Sequence, residues 1–433
     1  MSEQYNPNTI NADTTQRFLA RYEDHLTDLG NASLFLSMHR SVLRYVSSWG
    51  WVVWDDRRWN VDHPGLLISL ARQTIERYAT IAAALPASEC DRARRLLSHA
   101  EACSTRSRIQ AMLDLASQDP SVRAEPTDFD RDPFLLTVEN GTIDLRTGKL
   151  SPHDPDHFIT RCCPIAYNPE ATSPQWLSFI EACLDNDPEY RRYLQVAIGY
   201  SLTGSTQQDA FFLLHGRGRN GKTTLLEALA SALGDYVLRL PVTALHQARA
   251  QTDLRMNGSA LTGRRLLLLT ETSPDQQLSL STLKRLTSGE PLFLPPSRPG
   301  QPPQPFHPTC KLWLATNHLP RITEQTPAIW RRLKLLPFTV SFENREDRAL
   351  LEKLQKDAPA ILTWAVRGCQ LWLQYGMPEP PCVVQALEAY RADQDELADY
   401  ITERFDHVED ATTPAREIYR DYYTWATDAH IRP

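Results

Sequence analysis

The sequence predicts an α/β fold built on a parallel sheet, and three observations support this prediction. Between residues 206 and 345, short apolar runs typical of buried strands alternate with segments of helical periodicity. One such run, Phe211 to Leu214, leads into the glycine-rich segment GRGRNGKT at residues 216–223. A helical segment with one apolar face follows, and Gly234 is placed to end it. Strand, loop and helix therefore follow in the order of a nucleotide-binding unit.

The glycine-rich segment matches the phosphate-binding pattern G-x-x-x-x-G-K-[ST]. Its glycines let the backbone fold around a polyphosphate, with N–H groups pointing inward at the positive end of a helix dipole. A chance match in a glycine-bearing turn is the alternative, and the strand–loop–helix order disfavours it. We therefore expect ATP and Mg²⁺ as ligands, with Lys222 at the β and γ phosphates and Thr223 on the metal. The residues expected to bind ATP are Gly216, Asn220, Gly221, Lys222, Thr223 and Thr224.

Composition sets outer limits on the class of protein. The 433 residues suffice for two or three domains, and 23% charged with 42% hydrophobic residues is typical of a globular protein. No apolar run approaches the length of a membrane span, and the polar start of the chain lacks a signal-peptide core. We therefore expect a cytoplasmic protein with no membrane partner. The eight cysteines include no C-x-x-C pair, which argues against a zinc site or a disulfide framework.

Charge and regional composition refine this picture. The formal net charge of −7 argues against a surface that coats nucleic acid, although a local basic channel remains compatible with it. Three regions differ in character: residues 1–205 are mostly helical with a β-like middle, 206–375 form the α/β unit, and 383–433 follow a proline-rich linker.

Polar residues follow two further strand candidates. The run Leu266 to Leu269 ends in Thr270-Glu271, and Glu271 is predicted to activate water as a general base and to help hold Mg²⁺. A solvated glutamate after a strand is the alternative. The run Lys311 to Ala315 is followed by Asn317, whose amide could orient the attacking water. Asn-x-x-Pro alone would be a common turn, so this prediction depends on its place in the motif order.

The paired arginines Arg331 and Arg332 have two interpretations. They could form ordinary ion pairs on a solvated helix face. Alternatively, one could be an arginine finger that reaches the γ-phosphate bound by a neighbouring subunit. The order of motifs favours the finger, which we place at Arg332 in preference to Arg331.

Together these motifs resemble a known family. The segments GRGRNGKTT, LLLLTETS, LKRLTSGEP, FHPTCKLWLATNHLP and AIWRRLKLLPF are similar to the ATPase core of superfamily three helicases, specifically the phage and plasmid primase-helicases related to the poxvirus primase-helicase. Outside that core, LRYVSSWGWVVWDDRRW, VENGTIDLRTGKLSPHDP and LQVAIGYSLTGSTQQDAFFLLHG also resemble the family, so the likeness extends from about Thr14 to Pro433. The resemblance implies an AAA+-like phosphate-loop core at 206–375, a collar or DNA-docking domain at 1–205, and part of a winged helix at 383–433.

The resemblance also implies an activity: an ATP-dependent DNA helicase that translocates on single-stranded DNA in the 3′ to 5′ direction. Subunits would form a hexameric ring, with the Walker B acid Glu271, the sensor Asn317 and a neighbour's Arg332 completing each site. The setting would be phage or plasmid replication in a bacterial host cell, on single- and double-stranded DNA. Because nothing before Thr14 suggests a primase domain, we expect a separate primase or polymerase as partner.

One region departs from the family pattern. Lys284 matches the surroundings of a family lysine near a DNA-contacting hairpin, although a helix-surface lysine is the alternative. Where the hairpin should lie, Pro291 to Pro308 holds eight prolines, and Arg298 is its only Lys or Arg. Because proline lacks the N–H that a ladder needs, a regular hairpin is not expected there. Arg298, at a loop tip, would be the remaining DNA contact.

Two other functions stay open. A monomeric phosphate-loop phosphotransferase would leave Asn317 and the arginine pair without a role. A nucleotide-dependent scaffold that recruits or interferes with replication proteins, without unwinding, would explain the unusual proline-rich segment. The N-terminal tryptophans Trp49, Trp51, Trp54 and Trp59 could stack DNA bases, but packing in a core is the preferred interpretation.

Overall fold

The N-terminal region consists of helices packed around a small sheet. The computed structural model describes residues 12–61, 64–241, 261–270, 280–294, 304–320, 322, 326–345, 347–394, 396–406, 408 and 412–428. The helices are α1 (Ala12–Tyr22), α2 (Asp28–His39), α3 (Pro64–Ala83), α4 (Cys90–Cys103) and α5 (Arg106–Ala116). The sheet has the order β3-β2-β1-β4, formed by β1 (Leu43–Val46), β2 (Gly50–Trp54), β3 (Trp59–Val61) and β4 (Arg123–Ala124).

The N-terminal tryptophans lie in or against hydrophobic clusters. Trp59 is fully buried with Val46, Val52 and Phe129, and Trp49 and Trp54 pack against the same cluster. Trp51 packs against a neighbouring cluster that includes Phe35. These contacts agree with the packing interpretation, because burying large aromatic surfaces stabilises a core.

A second small sheet connects this region to the centre of the molecule. It is antiparallel and contains β5 (Leu135–Val138), β6 (Gly141–Asp144) and β7 (Lys149–Ser151). Helices α6 (Pro174–Cys183) and α7 (Pro188–Leu202) follow. Helix α6 begins where the Ser173 hydroxyl accepts a hydrogen bond from the backbone N–H of Trp176, a regular N-cap that fixes the helix start.

Within the described residues, the central sheet has five strands, all parallel, in the order β14-β8-β13-β10-β9. These strands are β8 (Phe211–His215), β9 (Val237–Pro241), β10 (Leu266–Thr270), β13 (Lys311–Thr316) and β14 (Leu333–Pro337). The predicted α/β architecture with a parallel sheet is therefore confirmed. Because all strands point the same way, the residues that follow β8 and β13 meet at one edge of the sheet.

Helices cover both faces of this sheet. In β8, Phe212 and Leu214 enter one core while Phe211 and Leu213 enter the other, as expected for a buried parallel strand. The described helices here are α8 (Lys222–Leu233), α9 (Leu280–Thr287), α10 (Pro327–Arg332), α11 (Leu350–Lys356) and α12 (Ala358–Tyr375). Helix α8 ends at Gly234, as the sequence predicts.

One hydrophobic core continues across residues 205–206, where the sequence suggests a domain boundary. It combines Leu136 and Ile143 of the small sheet with α7, α8 and α12. Helix α13 (Pro381–Asp393) packs against β14, and the Tyr390 ring lies 5.4 Å from that of Trp330. Helices α14 (Glu396–Arg404) and α15 (Ala415–Asp428) contact one another through a separate aromatic cluster.

The structure corrects the expectation that no hairpin forms between Pro291 and Pro308. Strands β11 (Leu292–Leu294) and β12 (Gln304–Phe306) pair antiparallel, with Phe293 opposite Pro305. Only one proline stands inside the paired segments, and alternate N–H groups in a two-stranded ladder point away from the partner strand. A single proline is therefore compatible with pairing. Arg298 lies outside the described residues.

Candidate nucleotide-binding site

Two glycines shape the loop between β8 and α8. Gly221 has a φ of +88°, and a Cβ added there would lie 2.5 Å from Sγ of Cys183 on α6. A Cβ on Gly216 would lie 2.1 Å from the backbone oxygen of Phe338. Any side chain would displace the loop at either position, so both glycines are required by the close approach of backbone and neighbouring elements.

The loop is held in place by residues 338–345, which follow β14 and are called the β14 extension below. Phe338 N–H donates to the His215 oxygen at 2.7 Å, and the Asn220 amide donates to the Phe338 oxygen at 3.0 Å. Phe342 N–H donates to the Arg219 oxygen at 2.8 Å. These bonds fix the loop backbone in advance, which reduces the ordering cost of binding a ligand. No local sequence pattern predicts these bonds, because the partners are more than a hundred residues apart.

Lys222 is the centre of the site. Its side chain is 4% exposed, and Nζ donates to the Gly216 oxygen at 2.7 Å, to Asn220 Oδ1 at 2.9 Å and to Asn317 Oδ1 at 3.1 Å. The structure thus brings together two residues that the sequence predicted separately. Burial lowers the pKa of Lys222 to about 8, since no carboxylate is among these partners.

His215, which sequence reasoning missed, lies beside Lys222 at the end of β8. Burial first, and then the positive charge of Lys222, lower the pKa of His215, while a hydrogen bond with the backbone of Asn317 opposes this. At neutral pH the ring is therefore uncharged and adds no positive charge to the loop. Thr223 is exposed and Thr224 half-buried at the start of α8, where a phosphate and its metal would approach.

A cleft of about 430 Å³ opens beside the loop. One wall is a single face of α6, and the other is formed by the β14 extension and the residues that lead into α11. The volume is in the range of small-molecule sites, and the cleft is continuous with the phosphate loop through Gly221 and Thr224. The lining residues are Gln175, Ser178, Phe179, Ala182, Arg219, Gly221, Thr224, Phe342, Arg345, Asp347 and Leu350.

The functional roles of all the site residues stay predictions, and two of these residues are not described by the structure. Glu271 and Arg298 lie outside the described residues. Thr270, at the end of β10, pairs with Ala315 of β13, two residues before Asn317. Lys284 is half-buried on α9 between the buried Leu283 and Leu286, a position that does not distinguish DNA contact from a structural role.

The arginine pair divides into one packed and one exposed side chain. Arg332 is 14% exposed, with Nη2 3.4 Å from Asp209 Oδ2 and Nη1 donating to the Ala328 oxygen at 3.0 Å. Arg331 is exposed. Leu333, the next residue, pairs with Phe211 at the start of β8, whereas the loop follows the end of β8. At roughly 3.3 Å per residue, the strand separates the pair from its own loop by more than ~13 Å, so either arginine could serve only a neighbour's site.

Two family models match the chain. One, described as D5 N terminal like, matches residues 32–185, and the other, a family of unknown function (DUF5906), matches residues 214–332. The second range includes the loop, Asn317 and the arginine pair.

Three relatives of the chain come from viruses. A protein of Acanthamoeba polyphaga mimivirus, named as a candidate helicase, is 25% identical over 327 residues, covering 68% of this chain and 34% of that protein. An African swine fever virus protein named as a candidate primase is 27% identical over 327 residues, covering 69% of this chain and 34% of that protein. An invertebrate iridescent virus 6 protein named as a candidate helicase is 22% identical over 342 residues, covering 70% of this chain and 35% of that protein. The chain spans about a third of the length of these relatives.

These matches confirm the resemblance that the motifs indicate. The chain is similar to viral proteins named as candidate helicases and as a candidate primase, which agrees with a resemblance to the primase-helicases of helicase superfamily three. Among solved structures, the apo C-terminal region of NrS-1 aligns with a TM-score of 0.40 at 11% identity, covering 55% of this chain and 58% of that chain. Within the described residues, no helix combines the length and the apolar character needed to cross a membrane.

Proposed function

We propose that the chain is an ATP-dependent DNA helicase motor with an AAA+-like phosphate-loop core. The observation that supports this most is the position of Lys222 Nζ, which is buried between the loop oxygens and Asn317 Oδ1. The Lys222 ammonium of the loop and the Asn317 amide, which follows the neighbouring strand β13, are thus in direct contact. Hydrolysis of a γ-phosphate needs such a cation and such a polar group side by side.

The loop and the cleft together fit a nucleoside triphosphate. The phosphates would lie along 216–223, where Lys222 exchanges its loop oxygens for phosphate oxygens, and the nucleoside would occupy the cleft beside α6. Thr223, with Glu271, would hold Mg²⁺, whose positive charge would offset the negative charge that develops on the phosphate oxygens. The adenine ring would lie on the apolar wall formed by Phe179 and Phe342.

Hydrolysis would use residues of two subunits. Glu271 accepts the proton of the attacking water, and Asn317 orients that water next to the γ-phosphate. An arginine of the neighbouring subunit then stabilises the charge of the transition state, which requires a ring, and we propose a hexamer. The sequence favours Arg332 for this role, but its ion pair with Asp209 makes the exposed Arg331 the stronger candidate.

The names of the viral relatives support a role in DNA replication, since they are described as candidate helicases and a candidate primase. We propose single-stranded and double-stranded DNA as substrates, with Lys284 and Arg298 as DNA contacts. A separate primase or polymerase partner, a phage or plasmid origin and a bacterial host are the settings that the sequence favours. The three relatives reported above come from viruses.

The ATPase rate with and without single-stranded DNA, at stated salt, tests this proposal. A helicase should be stimulated by DNA and should displace a paired strand. ATP hydrolysis without stimulation or displacement would favour the nucleotide-dependent scaffold. A strict monomer with and without ATP would instead favour the phosphotransferase.

Filling the cleft should weaken ATP binding without changing the chemistry. The change Ser178→Trp places a large ring on the cleft face of α6, and we expect KM for ATP to rise about tenfold or more with little change in kcat, because only binding contacts are lost. Leu177→Trp is the matched control, because residue 177 is exposed on the same helix but does not line the cleft. Equal KM values for the two variants would show that the nucleoside lies elsewhere.

The pH dependence should report the ionisation of Lys222. Because burial lowers its pKa to about 8, the free protein loses this positive charge as pH rises through that value. We expect kcat/KM for ATP, which reports groups of the free enzyme, to fall above about pH 8. A kcat/KM that stays level to pH 9.5 would contradict the role of the charged lysine.

A further inference from the structure

A second cleft, of about 340 Å³, lies near the N-terminal ends of the central strands, whereas the nucleotide loop lies at their C-terminal ends. Its walls come from two parts of the chain: Trp49, Phe129 and Arg131 belong to the N-terminal region, whereas Gly204 and Thr309 precede β8 and β13. The cleft therefore lies at the sheet edge where these strands begin, and a ligand there would not compete with ATP.

Aromatic and basic side chains line this cleft together. Trp49 is half-buried, with its ring 5.1 Å from that of Phe129, which holds the indole in place. Arg131 and His307 are exposed at the rim, and Arg131 pairs with Asp128, its neighbour at i−3. Asp130, an acid that lines the cleft, accepts hydrogen bonds from Thr160 N–H at 3.0 Å and from Thr160 Oγ1 at 2.6 Å.

Two buried basic side chains, Arg265 and Lys311, lie next to residues that line the cleft. Arg265 is 1% exposed, and its Nε and Nη1 have no hydrogen-bond partner in the described part of the chain. A Cβ on Gly204 would lie 1.7 Å from Nη1, so the guanidinium stands immediately behind this wall residue. Lys311 is 2% exposed, and Nζ donates to the oxygen of Thr309, another wall residue, at 3.1 Å.

The acid that interacts electrostatically with Arg265 is already engaged by another arginine. Asp132, which interacts electrostatically with Arg265, is already bound by Arg146 at 3.1 and 2.9 Å. Burial, and secondarily the charge of Arg265, lower the pKa of Lys311. A buried cation without a full set of partners is costly, and an anion in the cleft would offset that cost.

We propose that this cleft binds one nucleotide of single-stranded DNA. The base stacks on Trp49, and the phosphate contacts Arg131 and His307 in the field of Arg265. Stacking on an aromatic ring beside a basic groove is the usual means of holding single strands regardless of sequence. His307 directly follows β12, so the strand would pass the base of the β11–β12 hairpin. The choice of DNA rests on the proposed function.

The inference gives the N-terminal region a direct contact with DNA. Trp49, Phe129 and Arg131 all fall in the range 32–185 that the D5 N terminal like model matches. A strand held there would lie against both the N-terminal region and the residues that lead into the central sheet.

Binding of fluorescein-labelled oligo(dT) to the full chain without nucleotide, measured by anisotropy, tests the proposal. We expect Trp49→Leu to weaken binding about tenfold, since stacking contributes strongly per base. We expect Arg131→Gln to lower the slope of log K against log salt by about 0.7, the value for one phosphate contact on a single strand. Trp54→Leu is the control for packing, because Trp54 joins the same cluster without lining the cleft.

Arg94→Gln is the matched control for Arg131→Gln. Arg94 pairs with Asp91 at i−3 and is 73% exposed, against 69% for Arg131, but it lies on α4 away from the cleft. The proposal predicts normal binding for both controls. It is overturned if Trp49→Leu and Arg131→Gln bind as the wild type does, or if free dTMP displaces the strand at concentrations near the strand's own Kd. Wild-type protein that hydrolyses ATP but binds no oligo(dT) would overturn this inference and the helicase proposal together, while leaving the nucleotide site intact.

Discussion

Replacing Lys222 with alanine should reduce ATP hydrolysis by about 10²–10³-fold in kcat, the usual cost of removing one charge-stabilising donor. The reason is that Nζ is the cation placed between the loop and Asn317, where the γ-phosphate charge develops. Steady-state phosphate release measures the effect.

The fold should survive this change, because the lysine is a buried cation whose charge is disfavoured by desolvation. A thermal midpoint near that of the wild type would confirm that hydrolysis, not folding, was lost. Wild-type kcat in Lys222→Ala would show that the loop is not the hydrolytic site.

The second large effect concerns the arginine pair. We expect Arg331→Ala to lower kcat by about 10³–10⁵-fold without loss of stability, since an arginine finger contributes that much when it is exposed to a neighbouring site. By contrast, Arg332→Ala should destabilise the fold by about 1.5–3 kcal/mol, because it removes a charge-assisted contact from Asp209. Thermal unfolding and kcat, measured on both variants, separate the two roles. An Arg332→Ala variant that unfolds at the wild-type temperature but does not hydrolyse ATP would show that Arg332 is the arginine finger.

Mixing two inactive variants tests whether the finger acts between subunits. In a ring of Lys222→Ala and Arg331→Ala subunits, some interfaces combine an intact Lys222 with an intact Arg331. The mixture should therefore hydrolyse ATP faster than either variant alone. Activity that stays at the level of the separate variants would contradict an intersubunit site.

The local parts of the site were predictable from the sequence. The loop, the strand before it and Gly234 at the helix end are fixed by residues close in sequence, as is the place of Asn317 after an apolar strand. Parallel strands then bring Lys222 and Asn317 to one edge, although they are 95 residues apart.

The parts that sequence reasoning missed depend on distant partners. Asn220 bonds to Phe338 and Arg332 pairs with Asp209 across separations of 118 and 123 residues, and no local pattern marks either contact. The hairpin was missed for a different reason. The prediction used the number of prolines between residues 291 and 308 and not their positions. Only Pro305 falls inside the ladder of paired residues.

Strand displacement by the full chain tests the central claim most directly. A labelled strand annealed to a longer single strand with a free 3′ tail is incubated with protein, Mg²⁺ and ATP. The helicase proposal predicts displacement that requires ATP and is lost in Lys222→Ala. ATP hydrolysis by the wild-type protein with no displaced strand, from substrates with either a 3′ or a 5′ tail, would contradict it.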